Sequence, residues 1–151
     1  MRLQIFEYQC APSGHAFRAP ELPADAYGEF LLRSRTGAEI VYVNAIADPT
    51  YKEVDVLLQR HPTLAGVPAI GRADILRRIY GAVACDPDAE GQPFRIGQHP
   101  QCPVCSSTDM KSWQEVHPVE FVDLEIPAAT HLLWATLTES KKADRVNDAL
   151  S

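Results

Sequence analysis

No run of apolar residues in the chain approaches the ~20 that a membrane-crossing helix needs. The opening MRLQIFEYQ lacks the apolar core and small-residue cleavage site of a secretory signal. The expected compartment is therefore the cytoplasm. Basic residues are also few. Fourteen Lys and Arg against twenty Asp and Glu leave a formal net charge of −6, which repels a phosphate backbone unless the cations gather on one face. Nucleic acid is a poor expectation for a partner, and a protein of basic character a better one, although the same charge also keeps an ordinary domain in solution. There is no Walker loop, no Gly-x-Ser-x-Gly elbow and no dinucleotide fingerprint, which removes the common signatures of nucleotide and acyl chemistry. Low-complexity tracts are absent as well.

What is present is enough for one core: 151 residues, 46% of them apolar, the size of a single domain spanning 1–151. LQIFEY alternates in the manner of a strand, and HAFRA, after the turn CAPSG, answers it as a second arm. GEFLLRS and AEIVYVNAIA read as strands joined across RTGA, where Gly37 can take the positive φ of a tight turn. The second is nearly continuous in apolar residues and is expected to be central. Asp48 as N-cap and Pro49 at the first helical position start a helix with Tyr51, Val54, Leu57 and Leu58 on one face, stopped by Pro62. RADILRRIYGAVAC repeats the helical spacing with Ile75, Leu76, Ile79, Tyr80 and Val83, although Gly81 weakens it. PFRIG and MKSWQEV are expected to pair as a second hairpin, and EFVDLEI is a further alternating strand. LTESKKADRVNDAL closes the chain as a helix with Thr138 as N-cap and Ala143, Val146 and Leu150 inward.

The chemistry rests on four cysteines. In a reducing compartment structural disulfides are rare, so Cys102-Pro-Val-Cys105 invites a metal or a redox reading. A C-x2-C turn aims two thiolates at one point while its backbone N–H groups stabilise their charge, and tetrahedral zinc then needs two more ligands. Gln9-Cys10-x-x-Ser13-Gly14 lines up with Gln101-Cys102-x-x-Cys105-Ser106, which makes Cys10 the natural third.

FEYQCAPSGHAF resembles the opening of the FmdB-type zinc ribbons, small bacterial proteins with an aromatic-rich strand, a C-x2-C-G-H knuckle and a second C-P-x-C knuckle soon after. Tyr8, Cys10, Gly14, His15 and Phe17 match the first knuckle; Cys102, Pro103 and Cys105 match the second. The resemblance covers about thirty residues around 3–17 and 101–107. The chain departs from it at Ser13, which stands where the family has its second Cys, and in the long insertion between the knuckles. The resemblance implies a zinc ribbon split by an inserted domain, with arms at about 1–19 and 94–117, an inserted α/β region at about 27–85, and a C-terminal strand and helix within 119–151. Neutral Ser is a poor ligand, so the fourth position falls to Cys85, which uses all four cysteines, or alternatively to His15; His99 is a further, weaker candidate. With Cys10, Cys85, Cys102 and Cys105 as ligands the shell is closed and the zinc structural.

Other chemistries are open to weaker signals. CPVC is similar to the C-P-x-C of glutaredoxins, but there the motif starts a helix near the front of the fold. The five His residues are scattered, and Glu115, His117, Glu120, Asp123 and Glu125 read as a solvated strand face. Asp86 and Asp88 belong to a turn-rich loop. Arg72, Arg77 and Arg78 form the densest basic cluster, on the outward side of a helix. Trp113 and Trp134 could anchor an interface or fill a core. The expectation is an α+β domain, an antiparallel sheet with two central helices and a C-terminal helix, stapled by structural zinc. The expected function is non-catalytic protein binding or regulation, in a form such as an immunity-type inhibitor of a toxin. A small metal-dependent or thiol-redox enzyme is the alternative, and a nucleic-acid-binding zinc ribbon the third reading.

Overall fold

The computed structural model describes all residues, 1–151. In chain order the elements are β1 (Arg2–Cys10), β2 (Ala16–Glu21), β3 (Glu29–Arg33), β4 (Ile40–Asn44), α1 (Pro49–Gln59), α2 (Ala69–Ala84), β5 (Arg95–Ile96), β6 (Met110–Glu115), β7 (Phe121–Asp123), α3 (Leu132–Ala135) and α4 (Glu139–Leu150), with a 3₁₀ turn at Pro62–Leu64. The architecture is α+β, with the strands in two antiparallel sheets rather than one.

β1 is the spine of the first sheet. It pairs with β2 along one edge, while its other edge is shared by β6, against Phe6–Cys10, and β7, against Arg2–Gln4. Tyr8 therefore lies opposite Phe17 on one side and Trp113 on the other. The register steps between Gln9 and Cys10, so Lys111 is left without a partner. Such a bulge bends and twists the strand end, here where Cys10 enters its turn.

The second sheet runs β4-β3-β5. β3, not β4, is central, because Leu31, Leu32 and Arg33 are all buried and the strand is thus covered on both faces. β4 lies at the edge, where an extended segment blunts it: Tyr42 N–H donates to Pro127 O and Ala129 N–H to Tyr42 O, each at 2.9 Å. The expected hairpin of PFRIG and MKSWQEV does not form. β5 pairs with β3 and β6 with β1, so the two segments join different sheets and the Cys102 turn lies on the link between them.

The helices follow their local signals. The Asp48 carboxylate accepts from Thr50 N–H with Pro49 next to it, and the Thr138 hydroxyl accepts from Lys141 N–H. These side chains satisfy donors that the first helical turn leaves open. On α4 Val146 is buried as expected, but Ala143 is exposed and Ala149 packs inward instead. Val54 and Leu58 of α1, Leu76, Ile79, Tyr80 and Val83 of α2, Trp134 of α3 and Val146 of α4 close over Leu32 and Val43 as the main core. Trp134 is thus a core residue, its indole N–H donating to Glu53, whereas Trp113 is half exposed. A second, smaller core of Tyr8, Cys10, Ala19, Cys102 and Met110 fills the first sheet.

Gly81, an apparent flaw in α2, has a packing reason. A Cβ there would meet Phe94 O at 1.9 Å, so only glycine lets the backbone leading into β5 lie on the helix. Gly81→Ala is expected to lose about 3 kcal/mol or more to overpacking and regain about 1 kcal/mol of helix propensity. The net loss of about 2 kcal/mol will be read as a lower denaturant midpoint with unchanged slope.

Candidate metal centre

Two turns of unlike sequence share one hydrogen-bond skeleton. In the first, Cys10 N–H donates to His15 O and Gly14 N–H to Cys10 O; in the second, Cys102 N–H donates to Ser107 O and Ser106 N–H to Cys102 O, all at 2.8–2.9 Å. The position after the second ligand slot is left-handed in both, with φ 70° at Gly14 and 63° at Ser106. Ser13 thus stands where Cys105 stands in its partner turn. The first turn is fixed by the β1–β2 pairing, and the second is brought over it by β6, which returns along β1.

The consequence is a cluster of three thiols. The sulfurs of Cys10, Cys102 and Cys105 all lie within 4.8 Å of one another, with Cys10 Sγ and Cys105 Sγ 3.3 Å apart. Four sulfurs ~2.3 Å from a tetrahedral ion would stand about 3.8 Å from one another, so the three can close on one cation with small adjustments. Ser13 Oγ lies 3.8 Å from Cys102 Sγ, in the turn position that matches Cys105. Cys10 and Cys102 are buried and Cys105 is exposed, so the cluster lies at the surface of the protein. The backbone N–H of Cys105, with that of Val104 and the Ser13 hydroxyl, draws the Cys102 thiol down to about 7 against desolvation. Cys10 shifts upward: the Ser13 hydroxyl lowers its pKa, but burial and the two neighbouring thiols raise it more.

Cys85, expected as the fourth ligand, is not in the cluster. It caps the C-terminus of α2 and is buried in the main core with Tyr80 and Ala84, because the helix that carries it packs on the second sheet and not on the first. Burial, reinforced by the charges of Asp48 and Asp86, pushes its thiol up to about 12. His15 contributes backbone only: its carbonyl accepts from Cys10 and its N–H donates to Ser13 Oγ at 3.4 Å, while its side chain is outside the thiol group. His99 lies with its ring 4.6 Å from that of Trp113 and 6.2 Å from that of Tyr8, its pKa lowered by burial and by Arg33. The three thiols are the only group of three or more such side chains close enough to share an ion.

The other sequence candidates are dispersed. Glu120 pairs with Arg18 and Glu115 accepts from Gln4. Arg72 and Arg77 are each paired with a carboxylate, Asp55 and Asp74, and Arg78 is exposed without such a pair. The CPVC turn is followed by irregular chain and then β6, so no helix start supports a redox thiolate of the glutaredoxin kind.

One polar cluster was invisible in the sequence. Asp48, beyond capping α1, accepts from Tyr80 O–H at 2.9 Å and meets His131 Nε2 at 2.8 Å, while His131 Nδ1 faces Ala84 O at 2.8 Å. Both ring nitrogens face acceptors, so the two bonds form together only when both carry a proton. Burial raises the Asp48 pKa, but hydrogen bonds from Tyr80, His131 and Thr50 N–H outweigh it and hold the carboxyl below its usual range. Next to it, Asp86 accepts from Thr130 O–H and from the N–H groups of Leu132 and Leu133, capping α3 across the chain. No helix of the chain is long and apolar enough to cross a membrane. No family model, curated protein or solved structure matches the chain.

Two outcomes follow. Any metal held by the three thiols will be retained in Cys85→Ala and lost in Cys102→Ser, as read by metal analysis of the purified variants, and Cys85 will be the last thiol alkylated in the folded protein. The depressed Asp48 carboxyl contributes stability that is present above its unfolded pKa of about 3.9 and lost as pH falls through its lower folded value. Thermal melts between about pH 5 and pH 2 should therefore fall with acid, less steeply in Asp48→Asn, which will also be about 1–3 kcal/mol less stable at neutral pH.

Proposed function

We propose that the protein is a non-catalytic protein-binding module whose Cys10, Cys102 and Cys105 hold a structural zinc ion, in the manner of an FmdB-type ribbon opened by an inserted domain. The observation that carries this reading is the convergence of thiols from two turns of matching hydrogen-bond skeleton, distant in sequence. A donor set of three thiolates suits a soft or borderline tetrahedral cation and fits magnesium or calcium poorly. The ion's work is mechanical. It ties the β1–β2 hairpin to the link between β5 and β6, around a core of only five buried residues that would gain most from a staple.

The binding half of the proposal rests on charge and on how the polar groups are used. The protein carries six more acids than bases, and several of its cations are already paired: Arg18, Arg33, Arg72, Arg77 and Lys142 each meet a carboxylate. The acidic surplus favours a basic partner, and neutralisation of a basic toxin by an immunity-type inhibitor is a relationship of that kind. Asp48, Tyr80 and His131 direct their hydrogen bonds at one another and at the backbone, which supports a structural rather than a catalytic use.

Protein purified without chelator is expected to carry one zinc per chain, and its removal to lower the melting temperature by about 10 °C or more. Absence of zinc would refute the clamp. Binding to the cognate basic protein should weaken tenfold or more as salt rises from about 0.05 M to about 0.5 M, chiefly through slower association; a salt-independent affinity would count against the charge argument.

A further inference from the structure

The fourth corner of the thiol cluster differs from the other three in ways that bear on what completes the metal shell. Its occupant, Ser13, carries a hydroxyl that stays protonated and neutral in water, unlike the thiolates around it. The oxygen hangs from a shorter bond than a cysteine sulfur would, so it stops short of the place from which a thiolate at that position would reach the ion. Its proton is also directed elsewhere: with Cys102 as a thiolate, which can only accept, the 3.8 Å contact makes Ser13 the donor. His15 N–H approaches the same oxygen at 3.4 Å. Ser13 therefore supports a neighbouring ligand rather than acting as one.

None of the other expected donors can take the place. Cys85 sits in the other core and the His15 and His99 side chains lie outside the cluster. The corner is also accessible. Cys105 is exposed, Val104 beside it is 60% exposed, and Pro12, Gly14 and Pro103 are all exposed around the two turns. A tetrahedral cation held by three protein donors with an open fourth side is the arrangement in which an outside molecule binds the metal, whereas four protein donors close the shell.

We infer that the metal centre keeps one exchangeable coordination position on its Ser13 side, filled by water in the isolated protein and able to take the sulfur of a small free thiol. The bound thiol loses its proton to solvent as its sulfur displaces the water, and nothing is oxidised or reduced. This rests on the metal reading proposed above. The centre remains a clamp through its three protein thiolates, and its fourth ligand reports the surrounding thiol concentration.

Cobalt(II) offers a direct test, since its visible bands respond to the number and type of ligands at a tetrahedral site. The apoprotein and its Ser13→Ala and Ser13→Cys variants are loaded with cobalt and titrated with 2-mercaptoethanol, with gel filtration confirming that the metal stays bound. The unsubstituted protein and Ser13→Ala should show a saturable spectral change, and Ser13→Cys none. Ser13→Ala, which loses the hydrogen bond to Cys102, should weaken cobalt binding by about tenfold or more yet keep the thiol response, while Ser13→Cys should lose the response and bind cobalt about tenfold or more tighter than the unsubstituted protein. A cobalt spectrum indifferent to the thiol in the unsubstituted protein or in Ser13→Ala overturns the exchangeable position while leaving the clamp standing. Absence of any thiolate-to-cobalt band from the unsubstituted protein overturns the metal reading itself.

Discussion

The guanidinium of Arg33 is the contact on which the assembly of the two sheets depends. Its side chain is 2% exposed and ends β3, yet it reaches out of its own sheet: Nη1 donates to Glu21 at 2.9 Å and to Gln98 O at 3.3 Å, and Nη2 to Pro20 O at 2.7 Å. One charge thus joins the second sheet, the end of the first hairpin and the chain entering the Cys102 turn. Burying it costs several kcal/mol that only good partners offset, and removing one partner is worse than never having had the pair. Nε is buried without an acceptor, so the offset is incomplete, and what this arginine contributes is geometry more than net stability. Gly37 reinforces the same junction. Its φ of 77° turns the β3–β4 hairpin tightly, and a Cβ there would meet Gln101 N at 2.7 Å, so the turn lies directly on the backbone preceding Cys102.

The placement of the thiols follows from that junction. The second turn has one end held by β5 on the second sheet and the other by β6 on the first. Neither sheet alone would aim Cys102 and Cys105 at Cys10. The main core is large enough to stand on apolar burial, with thirteen buried residues, whereas the core of the first sheet has five, two of them cysteines. A region with so little apolar surface to bury draws more from an ion than from further packing. An ion held by the three thiols would complement Arg33: the arginine brings the two turns together, and the ion would hold them there.

What the sequence revealed was local. Asp48 with Pro49, Thr138, the alternation of LQIFEY, and the match between the two turns all depend on neighbours within a few residues, and these appear where they are expected, whereas of EFVDLEI only Phe121–Asp123 is strand and Leu124 is exposed. What it concealed depended on partners far along the chain. PFRIG and MKSWQEV look like the arms of a hairpin because they flank a turn, but a segment of two paired residues has little register preference of its own and joins whichever edge the tertiary structure offers. Gly81 looked like a weakness because propensity describes a helix in isolation, not one with Phe94 carbonyl pressed against it. Cys85 was drawn into the metal site by counting thiols. Its position at the end of an amphipathic helix pointed the other way, since the face carrying Leu76, Ile79, Tyr80 and Val83 commits that helix, and Cys85 with it, to the main core. The Asp48–Tyr80–His131 cluster had no signal at all, because nothing in spacing links a cap, a core tyrosine and a histidine from three separate segments.

The form of the first turn, with Ser13 at the position that matches Cys105, is the most informative of these points. Its shape is maintained by backbone bonds, Cys10 N–H to His15 O and Gly14 N–H to Cys10 O, and by a glycine at the left-handed position. None of these needs a thiolate at 13. The turn's form is therefore separable from its ligand, and a conserved shape alone would be weak support for a metal. The support comes instead from the thiols themselves: β6 and the bond from Ala11 N–H to Asp109 O bring the second turn over the first, and within that approach Cys105 Sγ lies 3.3 Å from Cys10 Sγ. Thiols brought that close without a bond between them repel once ionised, and a cation is the simplest means of relieving the repulsion. The first turn carries a hydroxyl at the position where the second carries a thiol, although the two turns share one hydrogen-bond skeleton. That combination fits a centre whose three remaining sulfurs suffice to hold an ion, and whose fourth side is left to whatever donor the surroundings supply.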